Sequence, residues 1–274
     1  MRVFGVDFTS APGPRKGIIC ASGHLEDDRL VIDSFLRFND FTAFEAFLAT
    51  TGPWIAGFDF PFGQPRRLIQ NLNWPVTWSG YIQVVGQMDK ADFSALLAAY
   101  RAARQPGDRH HLRAVDRLAG AVSPMMMAGV PVGKMFFEGA PRLLRAGISV
   151  QPCRPAQADR VAVEAYPALV TRRLGVSGYK NDDRRKQTPE QANRRCAVLA
   201  ALCDYSLTAS YGLHIRLTDE IAAAAASDPA GDHLDAVLCA LQAGWAWSQQ
   251  DKGWGIPPDA DTLEGWIADP MLLE

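Results

Sequence analysis

The first sixty residues carry four apolar, strand-like runs and one short amphipathic helix, and their order limits the fold more than any other feature. Residues 2–8, 16–21 and 30–38 read as three successive strands, with Pro12-Gly13-Pro14 and Gly23 as turns between them. Asn39-Asp40 closes the third. Thr42 and Glu45 then offer a capping box, and Phe41, Phe44, Phe47 and Leu48 recur at helical spacing. Pro53 ends that helix. Residues 54–59 form a fourth strand that finishes in a carboxylate, Asp59.

The character changes over residues 64–158. Trp74, Trp78, Pro65 and Pro75 fall in an irregular stretch, and helical patterns follow near 93–104, 109–118 and 134–145. The β/α pattern resumes with a strand at 160–165 that contains Glu164. Pro167 suits a first helical position, and Thr188 with Gln191 forms a capping box. Leu234, Val237, Leu238, Leu241 and Trp245 mark one face of a last long helix beginning near Asp232. The chain therefore divides into a discontinuous core (1–63 and 159–250), a mainly helical insertion (64–158) and an acidic tail (251–274) expected to pack on the core.

Composition removes several function classes. An apolar content of 48% with 13 Phe, 7 Trp and 6 Tyr excludes global disorder. No apolar run approaches the roughly 18 residues a membrane span needs, and Asp7 so near the start argues against a signal peptide. Five cysteines without a C-x-x-C point to a reducing, cytoplasmic setting. His110 and His111 read as a solvated pair. The net charge of −2 speaks against a nucleic-acid-coating protein, but basic residues are segregated: residues 172–195 hold eight of them against three acids. Five arginines crowd residues 101–117, and these blocks read as solvated helix faces or anion-binding surfaces. Oligomeric state is left open, with a homodimer as one option.

Acids stand where burial is expected. Asp7 and Asp59 end strands, Glu164 lies between Val163 and Ala165, and Asp232 and Asp235 share one face of the last helix's first turn. Taken singly, Asp7 and Asp59 are turn formers, Asp232 an N-cap and Asp235 a helix-dipole partner. Glu164 is harder to explain that way, since a buried unpaired carboxylate is expensive. Together they suit the crevice at the carboxyl ends of α/β strands, where one or two cations would neutralise the whole set.

An Asp on the first strand, an acid ending the fourth and D-x-x-D opening a late helix resemble the RNase H-like fold, with the Holliday-junction resolvases as the nearest variant. Gly5-Val6-Asp7-Phe8-Thr9-Ser10-Ala11-Pro12, Gly57-Phe58-Asp59-Phe60-Pro61-Phe62-Gly63, Glu164-Ala165-Tyr166-Pro167-Ala168 and Asp232-His233-Leu234-Asp235-Ala236 are similar to domain of unknown function family 429, regarded as predicted RNase H-like nucleases. Gly178-Tyr179-Lys180 and Glu264-Gly265-Trp266-Ile267 also resemble blocks of that family. The resemblance implies an α/β fold with a mixed sheet, three antiparallel strands followed by parallel ones, flanked by helices.

It also implies a nuclease using Mg2+ or Mn2+ at a two-ion site. Asp7 would bridge the ions, Asp59, Glu164 and Asp235 would supply further ligands, and Asp232 would stand by the second ion. The expected substrate is a nucleic acid or nucleotide, with no membrane partner. Lys180, Arg184 and Arg185 are the expected phosphate-positioning cations, and Thr9 and Ser10 the expected phosphate hydrogen-bond donors. A sugar-kinase-like or actin-like ATPase is the rival within the same superfamily, but Phe8 stands where those hairpins carry a glycine. A non-catalytic nucleotide- or protein-binding scaffold is the third reading.

Overall fold

The computed structural model describes residues 1–204 and 207–273; Glu274 of the acidic tail lies outside the described residues. The opening elements are β1 (Arg2–Asp7), β2 (Ile18–Glu26), β3 (Arg29–Phe38), α1 (Phe41–Leu48) and β4 (Trp54–Phe58). Next come α2 (Arg66–Asn71), α3 (Trp78–Gly86), α4 (Lys90–Ala102), α5 (Ala114–Ala119) and α6 (Val132–Arg145). The chain re-enters the sheet through β5 (Ser149–Val150) and β6 (Arg160–Glu164). It ends with α7 (Pro167–Arg173), α8 (Pro189–Cys203), α9 (Thr208–Tyr211), β7 (His214–Leu217), α10 (Asp219–Ser227) and α11 (Asp232–Ser248).

Seven strands lie in the order β5-β6-β4-β1-β2-β3-β7. β1, β2 and β3 pair antiparallel, while β4 and β6 run parallel to β1. This mixed α/β sheet agrees with the RNase H-like expectation. Among the described residues no helix is long and apolar enough to cross a membrane.

Strand alternation assigns the two cores. Val3 joins α11 residues such as Leu234 and Leu238 on one face. Phe4, Val6 and Phe8 join Phe44, Phe47, Phe58 and helices α2, α3, α4 and α6 on the other. Gly5 sits on the α11 face, where an added Cβ would lie 2.1 Å from the backbone of Ala236 and Ala240. Gly57 plays the same part on β4, against the Cys239 carbonyl at 2.4 Å. Two glycines on adjacent central strands thus let α11 lie directly on the sheet.

Local details depart from expectation for physical reasons. β2 runs through Gly23, which marks a shift in register with β3 and not a turn; the turn comes at Asp27, with φ of 52°. Asp40, not Thr42, caps α1 by accepting from the Ala43 amide. The segment around Trp78 read as irregular is helical as α3, capped by Thr77. β7, only four residues long, carries too short a pattern to stand out in the sequence. His111 is buried against the Tyr100 hydroxyl at 2.7 Å and is not a solvated residue.

Candidate functional site

Register places the acids. Val6 pairs with Phe58, and the Asp59 amide donates to the Val6 carbonyl, so Asp7 and Asp59 leave neighbouring strand ends side by side. Asp7 follows Gly5 by two residues and Asp59 follows Gly57 by two; both therefore point to the α11 face. Asp235, fully buried in the first turn of α11, meets them there. One carboxylate oxygen from each of Asp7, Asp59 and Asp235 lies within 4.8 Å of the others.

Glu164 goes elsewhere. It pairs with Phe58 across β4 and β6, and so shares Phe58's face of the sheet, opposite to that of Asp7 and Asp59. There Arg113, which precedes α5, meets it in a bidentate pair at 2.6 and 2.8 Å. Arg113 also grips Asp116 through Nε and Nη2, and the Phe62 amide donates to Glu164 at 2.8 Å. All three charged residues are at most 2% exposed. Burial still holds the Glu164 carboxyl above its usual range, although Arg113 acts against it. The cation that answers Glu164 is Arg113, and Glu164, expected among the metal ligands, lies outside the three-acid group.

Lys180 lies inside the group. Its stem crosses Gly231, whose φ of 78° and missing side chain admit it: a Cβ there would sit 2.8 Å from Lys180 carbons. Its ammonium donates to Asp235 Oδ2, and the Tyr179 hydroxyl donates to Asp235 Oδ1. Gly231 occupies the N-cap of α11, so Asp232 is the first helical residue and not the cap. Asp232 sits at the rim, 3.4 Å from Lys16. Arg184 and Arg185 lie on an exposed turn, where Arg185 is held by Asp183 at 3.0 Å. Thr9 and Ser10 follow Asp7, half-buried; the Ser10 carbonyl accepts from Lys90 at 2.9 Å.

Burial, then the charges of Asp232 and Asp235, raises the Asp7 carboxyl well above the ordinary range. Burial, then Asp235, pushes Asp59 up to about 7, with Lys180 opposing. The sign for stability follows. Asp59 titrates near about 3.9 in the unfolded chain, so between pH 4 and 7 the folded state binds the extra proton. Chelated protein should therefore lose melting temperature as pH rises from 5.5 to 8, and Asp59→Asn should flatten that slope. A parent and an Asp59→Asn variant with equal slopes would contradict the assignment.

Three converging carboxylates form an all-oxygen donor set of the kind hard divalent cations take. Asp7 and Asp59 accept no hydrogen bond from a described side chain or amide, which leaves their oxygens available. Asp235 is shared with Lys180 and Tyr179. The residues fit one ion directly, and the charge of Asp232 acts on Asp7 from the rim. Beside them a cavity of about 290 Å³ opens, lined by Asp59, Asp235 and Lys180, by Glu164 and Arg113, and by apolar side chains.

Sequence reasoning missed Arg113 and Tyr179 as site residues. The signal for Arg113 was indirect: Glu164 needed a buried cation, and a block of arginines stood at 101–117. Comparison with curated proteins and with solved structures gave no match. The family model described as protein of unknown function (DUF429) matches residues 5–262, a span that takes in every acid of the site, and the chain belongs to that family.

Proposed function

We propose that the protein is a divalent-metal-dependent hydrolase of phosphodiester bonds, a nuclease acting on nucleic acid or nucleotide. The convergence of Asp7, Asp59 and Asp235 within 4.8 Å is the observation that carries this reading. Mg2+ or Mn2+ bound there supplies a polarised phosphoryl oxygen and an activated water. Asp7 and Asp59 would hold the ion from the sheet and Asp235 from the helix, and Asp232 would be the further ligand open to a second ion. Lys180 keeps Asp235 oriented and presents the nearest ammonium to a phosphate. Thr9 and Ser10 donate hydrogen bonds to the same group, and Arg184 and Arg185 extend the positive surface along the chain. Glu164 acts through Arg113 to shape the cavity wall.

Calorimetric melting with Mn2+, beside a mixed oligonucleotide panel and ATP, tests the reading. Ion at about 100 times its Kd adds roughly 2.7 kcal/mol, or about 5–10 °C for a chain of this size. Asp7→Asn should melt at or above the parent in chelator, because a repelling charge is gone, and should lose both the Mn2+ gain and oligonucleotide cleavage. Asp235→Asn should instead melt below the parent, since Lys180 and Tyr179 lose their charged acceptor. Cleavage by Asp7→Asn at the parent's rate would sink the proposal.

A further inference from the structure

We propose that the cavity beside the carboxylates takes one unstacked nucleobase, so that the substrate is a nucleotide or a single-stranded stretch and not a continuous duplex. This rests on the hydrolase reading for where the phosphate lies. The cavity's volume of about 290 Å³ falls just below the roughly 300–1,000 Å³ typical of small-molecule sites, enough for one ring system. A base inside a duplex has to leave its stack to enter such a space.

The lining is mixed in character. Asp59, Asp235 and Lys180 join it to the carboxylate cluster, where a phosphate and its cation would sit. The rest of the lining includes Val122, Val130, Met135, Pro167 and Tyr166. Val122 and Val130 are 46% and 60% exposed, an apolar surface that the fold leaves open to water beside the cavity. The Tyr166 ring is held by Arg172, whose guanidinium lies 5.5 Å from its centroid and donates to its hydroxyl at 3.3 Å. A fixed aromatic ring is a platform on which any base can stack. The polar groups at the inner wall do not read base edges, because Arg113, Asp116 and Glu164 are occupied with one another. Recognition is therefore by ring face and shape, tolerant of base identity.

The test is an equilibrium titration of the full chain with AMP, UMP and ribose 5-phosphate, in Mn2+ and separately in chelator. Both nucleotides should bind about ten-fold or more tightly than ribose 5-phosphate, through the base alone. Val122→Asn with Val130→Asn, at exposed positions that leave folding intact, should shrink that preference while keeping the Mn2+ gain in melting temperature. Tyr166→Leu should shrink it as well. Equal binding of the three ligands by the parent, or a preference that survives both variants, overturns the base site. A nucleotide preference in chelator with no Mn2+ effect on melting supports the base site and counts against the hydrolase reading alone.

Discussion

Arg113→Met should cost about 3–5 kcal/mol of stability, the range for removing one partner of a buried ion pair. The guanidinium sits between Asp116 and Glu164, both at most 2% exposed, and also donates to the Glu264 carbonyl at 2.9 Å. Burial alone would lower its proton affinity, but Glu164 and then Asp116 outweigh this and hold it well above the usual value. Without it two buried carboxylates remain with no cation between them. Adding Glu164→Gln to Arg113→Met should restore part of the loss, because one stranded charge is removed. Urea denaturation of the single and double variants decides the matter. A double variant less stable than Arg113→Met would mean that Glu164 contributes chiefly through the Phe62 amide.

Gly5→Val will be nearly as damaging and will act on the site as well. A Cβ at position 5 meets the Ala236 carbonyl and the Ala240 amide at 2.1 Å, backbone atoms in the middle of a packed helix. Overpacking of this kind costs about 3 kcal/mol or more where no flexible side chain can yield. To relieve it, α11 must lift from the sheet and carry Asp235 away from Asp7 and Asp59. The expected result is a lower melting temperature together with a Mn2+ gain smaller than the parent's. Leu238→Ala opens a cavity in α11 without lifting it, and should lower stability while leaving the Mn2+ gain in place. A Gly5→Val protein with the parent's Mn2+ gain would separate helix docking from ion binding.

The opening β-β-β-α-β order was legible because each element carries its own period: alternation in the strands, and Phe41, Phe44, Phe47 and Leu48 in the helix. Asp7, Asp59 and Asp235 were legible because charge at the end of an apolar strand, or in the first turn of an apolar helix, is conspicuous. The parity of Glu164 was not. Which face a strand residue takes depends on register against its neighbour, and the pairing of Phe58 with Glu164 joins residues more than a hundred positions apart. For the same reason Arg113 looked like one more arginine in a basic block. Lys180 stood out in the sequence as part of a basic segment and of the Gly178-Tyr179-Lys180 block; its place among the acids depends on Gly231, whose backbone conformation no local pattern announces.

The manner in which residues 261–269 close over Arg113 bears on how the chain reaches its folded state. Glu264 accepts from the amides of Arg66 and Ala114, the Leu263 carbonyl accepts from Tyr81, and the Ala268 amide donates to the Glu164 carbonyl. These closures span up to 198 residues. Loop entropy makes such spans cheap at equilibrium, about 0.6 kcal/mol for each doubling in length, but they slow the conformational search. On the ribosome, at about 5–20 residues per second, Glu164 is made roughly 5–20 s before Glu264. For that interval β1 to β6, the insertion and Arg113 lack their latch. A nascent chain held at that stage would be open to proteases at the cavity wall, and the arrival of residues 261–269 would shut it.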